Sequence, residues 1–251
     1  MLLPQDRRRL ERQRILTRVL SFFSYGLGVF WLKYLLWYRI SELKRVRRRF
    51  AEIVSQAKAP LIICPNHLTM IDSAIIIWAL APFRRIIVNP QYYPWNLPER
   101  KNFFNNIFLR FFCYLTRCIP VERRGPPEET RRVLDKIQKL LLCRESIMIF
   151  PEGHRSRNGR VDTENYAYGV GRILQEVPSA KVLCVYLRGE HQETYGSQPR
   201  WGDKFYLDME LIAPASEQKS LRGGRDISSQ IIAKLVEMEH KYFAAAHDYW
   251  K

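Results

Sequence analysis

Three short apolar runs, each ending abruptly in a polar cluster, constrain this chain more than any other feature. Leu61-Ile62-Ile63-Cys64 runs into Pro65-Asn66-His67-Leu68-Thr69-Met70-Ile71-Asp72. Ser146-Ile147-Met148-Ile149-Phe150 runs into Pro151-Glu152-Gly153-His154-Arg155, and a third run spans Val182 to Leu187. Runs of this length, rich in β-branched residues and bounded by turn formers, read as buried strands. Between them lie segments with helical periodicity, notably Thr130–Cys143 with Val133, Ile137, Leu140 and Leu141 on one face. Strands alternating with helices imply an α/β fold, a largely parallel sheet flanked by helices.

The remaining expectations follow from the same patterns. Arg84–Val88 reads as a further strand, Asn89–Pro98 as a proline-broken loop and Phe103–Leu115 as one aromatic helix, of the core first and in contact with lipid as the alternative. Cys118–Val121 reads as a short strand, Tyr166–Glu176 as a helix and Phe205–Ile212 as a late strand near an edge. A long amphipathic helix from Asp226 to Trp250 closes the chain behind Gly223-Gly224. At 251 residues this is one sizeable α/β domain, taken as residues 51–251, with a distinct segment at 1–50.

That first segment is basic and aromatic. Six arginines lie between Arg7 and Arg18, and an apolar stretch runs from Val19 to Tyr38 broken only by Lys33. A second basic cluster follows at Lys44–Arg49. Cations on both flanks favour the cytosolic side for both ends. The expectation is therefore a helix, or a helical hairpin bent near Ser24–Gly28, lying in one leaflet on anionic lipid at the cytosolic face rather than spanning. The formal net charge of +16 points to an anionic partner. No nucleic-acid motif accompanies that charge, so no nucleic-acid partner is expected. Five scattered cysteines with no C-x-x-C pair give neither a disulfide framework nor a zinc ribbon, and no metal is expected.

His67 and Asp72 are the first candidate pair. Thr69 with Asp72 three residues on is a helix-start signal that places the first helical residue at Met70 and His67 in the preceding turn. On one continuous helix residues five apart diverge by about 140°, so contact between these two requires the turn. A carboxylate on one imidazole nitrogen leaves the other as a general base. The same residues also fit a simple capped turn.

The block N-H-x4-D at Asn66, His67 and Asp72, followed by F-P-E-G-x-R-S at Phe150–Ser156, resembles the glycerolipid acyltransferases, the family of lysophosphatidate and related lysophospholipid acyltransferases. Val121-Glu122-Arg123 lies at its second motif and Val182–Val185 at its fourth, so the resemblance covers roughly residues 58–215. It implies a membrane-bound enzyme that moves an acyl chain from acyl-CoA or an acyl carrier protein to a lysophospholipid hydroxyl, foremost 1-acylglycerol 3-phosphate, with no bound cofactor. His67 would be the base and Asp72 its orienter. Arg123, Glu152, Gly153 and Arg155 would shape the acceptor phosphate site, with Asn66, Glu122, Arg124 and His154 in secondary positions. Oxyanion donors would come from amides at the helix start or around Gly153. The chain departs from the family at Arg117, where glycine is usual, at His154, where threonine or serine is usual, and at Cys184, where proline is usual. Ala167-Tyr168-Gly169 also lacks the lysine often found before that glycine. These departures leave open a different lyso-lipid acceptor, or a lipid-binding protein without turnover.

Overall fold

The structure is a computed structural model that describes residues 2–104, 106–122 and 125–249. Its strands are β1 (Arg39–Ile40), β2 (Leu61–Pro65), β3 (Trp95–Asn96), β4 (Ile147–Met148), β5 (Lys181–Gly189) and β6 (Lys204–Ile212). They form one sheet in the order β1-β6-β5-β2-β4-β3. Only β5 and β6 run antiparallel; every other pairing is parallel.

Alternation along the central strands sorts the core into two layers. Ile62 and Cys64 of β2, with Val182, Cys184 and Tyr186 of β5, face one cluster. Leu61 and Ile63, with Leu183, Val185 and Leu187, face the other. Both faces of these strands are covered, which is why they read as continuous apolar runs. Helices α7 (Pro127–Leu142), α8 (Gly169–Glu176) and α9 (Ser220–Tyr249) cover the first face. Helices α2 (Leu43–Ala57) and α3 (Asp72–Leu80) cover the second. Helices α8 and α9 meet at Gly171, where a Cβ would lie 1.9 Å from the Gly224 carbonyl oxygen, so no side chain fits there. Gly223 and Gly224 lie inside α9 rather than ahead of it.

Several local expectations are corrected. Residues 83–88 form helix α4 (Phe83–Val88), not a strand. Its β-branched run suits a sheet only where a sheet edge is available; here β3, inside the expected loop, takes that edge and α4 packs on the first helix with Ile86 inward. The aromatic segment breaks into α5 (Arg100–Phe103) and α6 (Ile107–Leu115), and the Asn106 side chain accepts the Phe108 N–H at 2.7 Å to start α6. Helix α6 is not a core helix. Phe108, Phe111 and Phe112 are exposed, and only Cys113 is buried. Residues 118–121 make single bridges at Asn96–Cys118 and Glu99–Val121 rather than a strand. Strand β6 is flanked by β1, which covers only its first two residues.

The N-terminal segment forms α1 (Pro4–Phe30), continued by a π-helical turn at Trp31–Leu35. No bend occurs at Ser24–Gly28, because both glycines lie within intact helix. Asp6, Leu10, Gln13, Thr17, Ser21 and Tyr25 form its buried stripe, three or four residues apart. Gln13 donates to the Tyr114 carbonyl at 3.0 Å and Tyr25 donates to the Ala81 carbonyl at 2.6 Å. The opposite side exposes Ile15, Val19, Phe22, Phe23, Leu27 and Phe30. The apolar face of α1 points away from the body and its smaller, more polar face packs inward.

Candidate active site

Parallel pairing of β2 and β4, with Ile62 opposite Ile147 and Ile63 opposite Met148, brings the residues after both strands to one edge of the sheet. His67 follows β2 and Glu152 follows β4. Ligands bind beyond the carboxyl ends of such strands. A cavity of about 890 Å³ opens there, lined by His67, Phe150, Gly153, His154 and Arg155 together with residues of α5 and α7.

The turn at 66–72 is built around the Asp72 carboxylate. Oδ2 accepts the Leu68 and Thr69 main-chain N–H groups, each at 2.7 Å, and lies 3.1 Å from His67 Nδ1. Oδ1 accepts the Thr69 hydroxyl. Helix α3 therefore begins at Asp72, two residues later than the sequence suggests, because Thr69 is drawn into the carboxylate instead of capping the helix. Asp72 is buried, and its Oδ2 can accept a proton held on His67 Nδ1, a tautomer that would leave Nε2 as the lone pair. That nitrogen makes no hydrogen bond among the described residues, and the ring stacks on Phe150 at 4.0 Å between centroids. Both contacts fix the imidazole while leaving its cavity edge free.

Glu152 supports this turn from below. Its Oε1 accepts the His67 N–H at 2.8 Å and its Oε2 accepts the Asp162 N–H at 3.1 Å. Burial pushes its carboxyl up to about 8, against the opposing pull of these two amides and with the help of nearby Asp162 and Glu239. Both Glu152 oxygens thus clamp main-chain amides, and its side chain is not part of the cavity lining. Gly153 has φ +73°, and a Cβ there would lie 3.0 Å from the Ala167 Cβ, so glycine is required.

The other candidates separate. Asn66 lies beneath the site, its side chain exchanging two hydrogen bonds with Leu187 at 3.0 and 2.7 Å and tying β2 to β5. Arg155 donates to the Gly196 carbonyl at 2.8 Å and lies over Tyr195, so it holds the 195–197 strap. That strap accepts the Met70 N–H at Ser197. Glu122 lines the cavity and lies 3.9 Å from Arg100. Arg123 and Arg124 lie outside the described residues. Of the amides in the two regions expected to hold an oxyanion, Leu68 and Thr69 are engaged by Asp72, Met70 by Ser197 and Gly153 by Phe150.

Sequence reading passed over three contributors. Asp162 bonds His154 Nε2 at 3.0 Å, and its position in a D-x-E-N turn was the available signal. Arg132 and Lys136, four apart on α7, add cations to the cavity wall beside the apolar stripe. Elsewhere, Glu190, His191 and Asp203 bring potential ligand atoms within 4.8 Å of one another, but His191 and Asp203 already share a hydrogen bond at 3.0 Å.

No curated protein matches the chain. The sequence pattern of the Acyltransferase family matches residues 40–188, a span that takes in the His67–Asp72 turn, the Glu152 clamp and the cavity wall at α7. Covering more than half of the chain, that match places this protein in the Acyltransferase family.

Proposed function

We propose that this protein moves an acyl chain from an acyl thioester, acyl-CoA or acyl carrier protein, to the hydroxyl of a lysophospholipid, foremost 1-acylglycerol 3-phosphate. The observation that carries this reading is the His67 Nδ1–Asp72 Oδ2 contact at 3.1 Å, which leaves Nε2 free at the cavity wall. In the reaction Nε2 takes the proton of the acceptor hydroxyl as its oxygen bonds to the thioester carbonyl carbon. The C–S bond then breaks, and the imidazolium returns the proton to the departing thiolate. Asp72 stabilises the transient imidazolium. Positioning plus base catalysis suffices for exchange of a thioester for an ester, with no covalent enzyme intermediate. Arg100, Arg132 and Lys136 supply positive charge for a phosphate in the same cavity.

The acceptor arrives from a membrane. Helix α1 with its π-helical extension is long and apolar enough to cross one. Its buried stripe is docked on the body from Asp6 to Tyr25, which favours an in-plane position. Helices α4 and α6 pack against α1 and add Val88, Phe108, Phe111 and Phe112 to the exposed apolar surface. Flanking arginines fit the anionic cytosolic face.

The test is transfer by wild type and His67→Ala with acyl-CoA and 1-acylglycerol 3-phosphate, with products identified by mass. Loss of the general base lowers kcat by about 10²–10⁴-fold. Undiminished transfer by the alanine variant would overturn the mechanism.

A further inference from the structure

A second oriented imidazole stands in the same cavity as His67. His154 Nε2 lies 3.0 Å from Asp162 Oδ2. Asp162 is itself fixed, because its Oδ1 accepts the Glu164 and Asn165 N–H groups, both at 2.9 Å. Those two amides, together with His154, hold the Asp162 carboxyl below its ordinary range against a partial desolvation. The main-chain N–H of Asp162 bonds Glu152, so the His154 pair and the His67 turn hang on the two oxygens of one buried carboxyl group. The spacing between the two imidazoles is thereby built into the fold.

The free nitrogen of His154 is Nδ1, which makes no hydrogen bond among the described residues, while the ring lines the cavity. Its neighbour Arg155, the obvious phosphate ligand by sequence, donates instead to Gly196 and lies over Tyr195. Between Asp162 on one side and a bound phosphate on the other, an imidazole protonated on both nitrogens would keep Nε2–H on Asp162 and give Nδ1–H to the anion. The base role needs the opposite, a lone pair, and His67 already supplies it.

We propose that His154, oriented by Asp162, donates through Nδ1–H to the phosphate of the acyl acceptor and selects a phosphomonoester head group over a zwitterionic one. This rests on the lysophospholipid reading of the cavity given above. The contact is a charge-assisted hydrogen bond to a dianion, worth about tenfold or more in affinity. A phosphodiester carrying choline has less charge to offer and brings a cation toward the cations of α7.

The experiment compares wild type, His154→Gln, His154→Arg and Asp162→Asn. The acceptors are 1-acylglycerol 3-phosphate and 1-acylglycerophosphocholine, each in detergent micelles at saturating acyl-CoA. The glutamine variant should raise KM for the phosphomonoester about tenfold, with the loss falling on KM rather than kcat. Arginine should restore that KM, and Asp162→Asn should raise it by a smaller factor because the imidazole is kept but no longer anchored on an anion. An unchanged KM for the phosphomonoester in His154→Gln, or an equal rise for both acceptors, overturns the proposal. A rise instead in the KM for acyl-CoA, measured by varying it at saturating 1-acylglycerol 3-phosphate, puts the contact on a donor phosphate and also overturns the proposal. Calorimetric binding of 1-acylglycerol 3-phosphate to wild type and His154→Gln gives the same comparison without turnover. Tenfold weaker binding supports the contact and equal binding overturns it, even where absent transfer in wild type has defeated the acyltransferase mechanism.

Discussion

The carboxyl of Glu152 lies 2.8 Å from the main-chain nitrogen of His67, so the residue after one strand holds the turn after its neighbour. Its position in the third motif matters because β2 and β4 are adjacent and parallel. The role is inward and structural. Glu152 is 1% exposed, with both oxygens occupied by amides.

A pH dependence follows from that burial. The folded-state value of Glu152, about 8, lies above the ordinary glutamate value of 4.5, so the folded protein holds an extra proton between them. Its stabilising contribution is full below pH 4.5 and is lost as pH rises through 8, with a slope of up to about 1.4 kcal/mol per pH unit. Glu152→Gln cannot titrate, and it turns one amide donor toward another. Wild type should therefore lead the glutamine variant most at pH 5, and the gap in urea midpoint should shrink by pH 8.5. A gap that stays constant across this range would contradict the assignment.

Asp72→Asn keeps the size of the side chain but replaces one acceptor oxygen by a donor in a pocket of donors. The Leu68 and Thr69 amides and the His67 imidazole all use Oδ2. Expected are a fall in kcat of about 10²–10⁴-fold, from the wrong imidazole tautomer, and a stability loss of about 1–3 kcal/mol. Steady-state kinetics and thermal melts on one preparation separate the two effects. A variant with full activity and lowered stability would reduce Asp72 to a turn former.

Arg117 has a backbone φ of +58°, a conformation that favours glycine. What the arginine provides is a buried ion pair. Nη1 lies 3.4 Å from Glu145 Oε2, whose partner oxygen takes Arg14 of α1 at 2.7 Å, and the guanidinium lies over Tyr93 and Trp95. Arg117→Gly relieves about 1 kcal/mol of backbone strain but removes one of the two cations on buried Glu145, Arg14 being the other, together with a large buried side chain, a cost of about 3–5 kcal/mol. The net loss of about 2–4 kcal/mol should shrink in the Arg117→Gly/Glu145→Gln double variant. Denaturant melts of the four-member cycle measure it; strictly additive losses would show that the pair is not coupled.

Phe108 and Phe111 are 80% and 63% exposed on α6, beside the apolar side of α1. Each aspartate substitution there should weaken partition onto anionic vesicles by about tenfold or more, through lost apolar contact and added repulsion. Vesicle sedimentation at low and high salt reads both contributions. Unchanged partition in Phe108→Asp/Phe111→Asp would remove α6 from the membrane surface and leave α1 alone.

The sequence by itself determined the layer order of the fold and the position of the central turn. Runs such as Leu61–Cys64 and Val182–Leu187 can only be satisfied by burial on both faces, and N-H-x4-D brings its own two partners together within six residues. Local chemistry was enough because the bonds from Asp72 all return to residues 67–69. Contacts from elsewhere decided the rest. Residues 83–88 became a helix because β3 occupied the sheet edge, and α6 turned its phenylalanines outward because the core was already filled by the layers on either face of the sheet. Arg155 became a strap holder through Gly196, forty-one residues away. His154 found Asp162 through a loop that has no hydrophobic period to read. Burial and strand pairing select one pairing among many that sequence alone permits, so the partners of Glu152 in the His67 turn and of His154 at Asp162 were fixed only when β2 and β4 lay side by side.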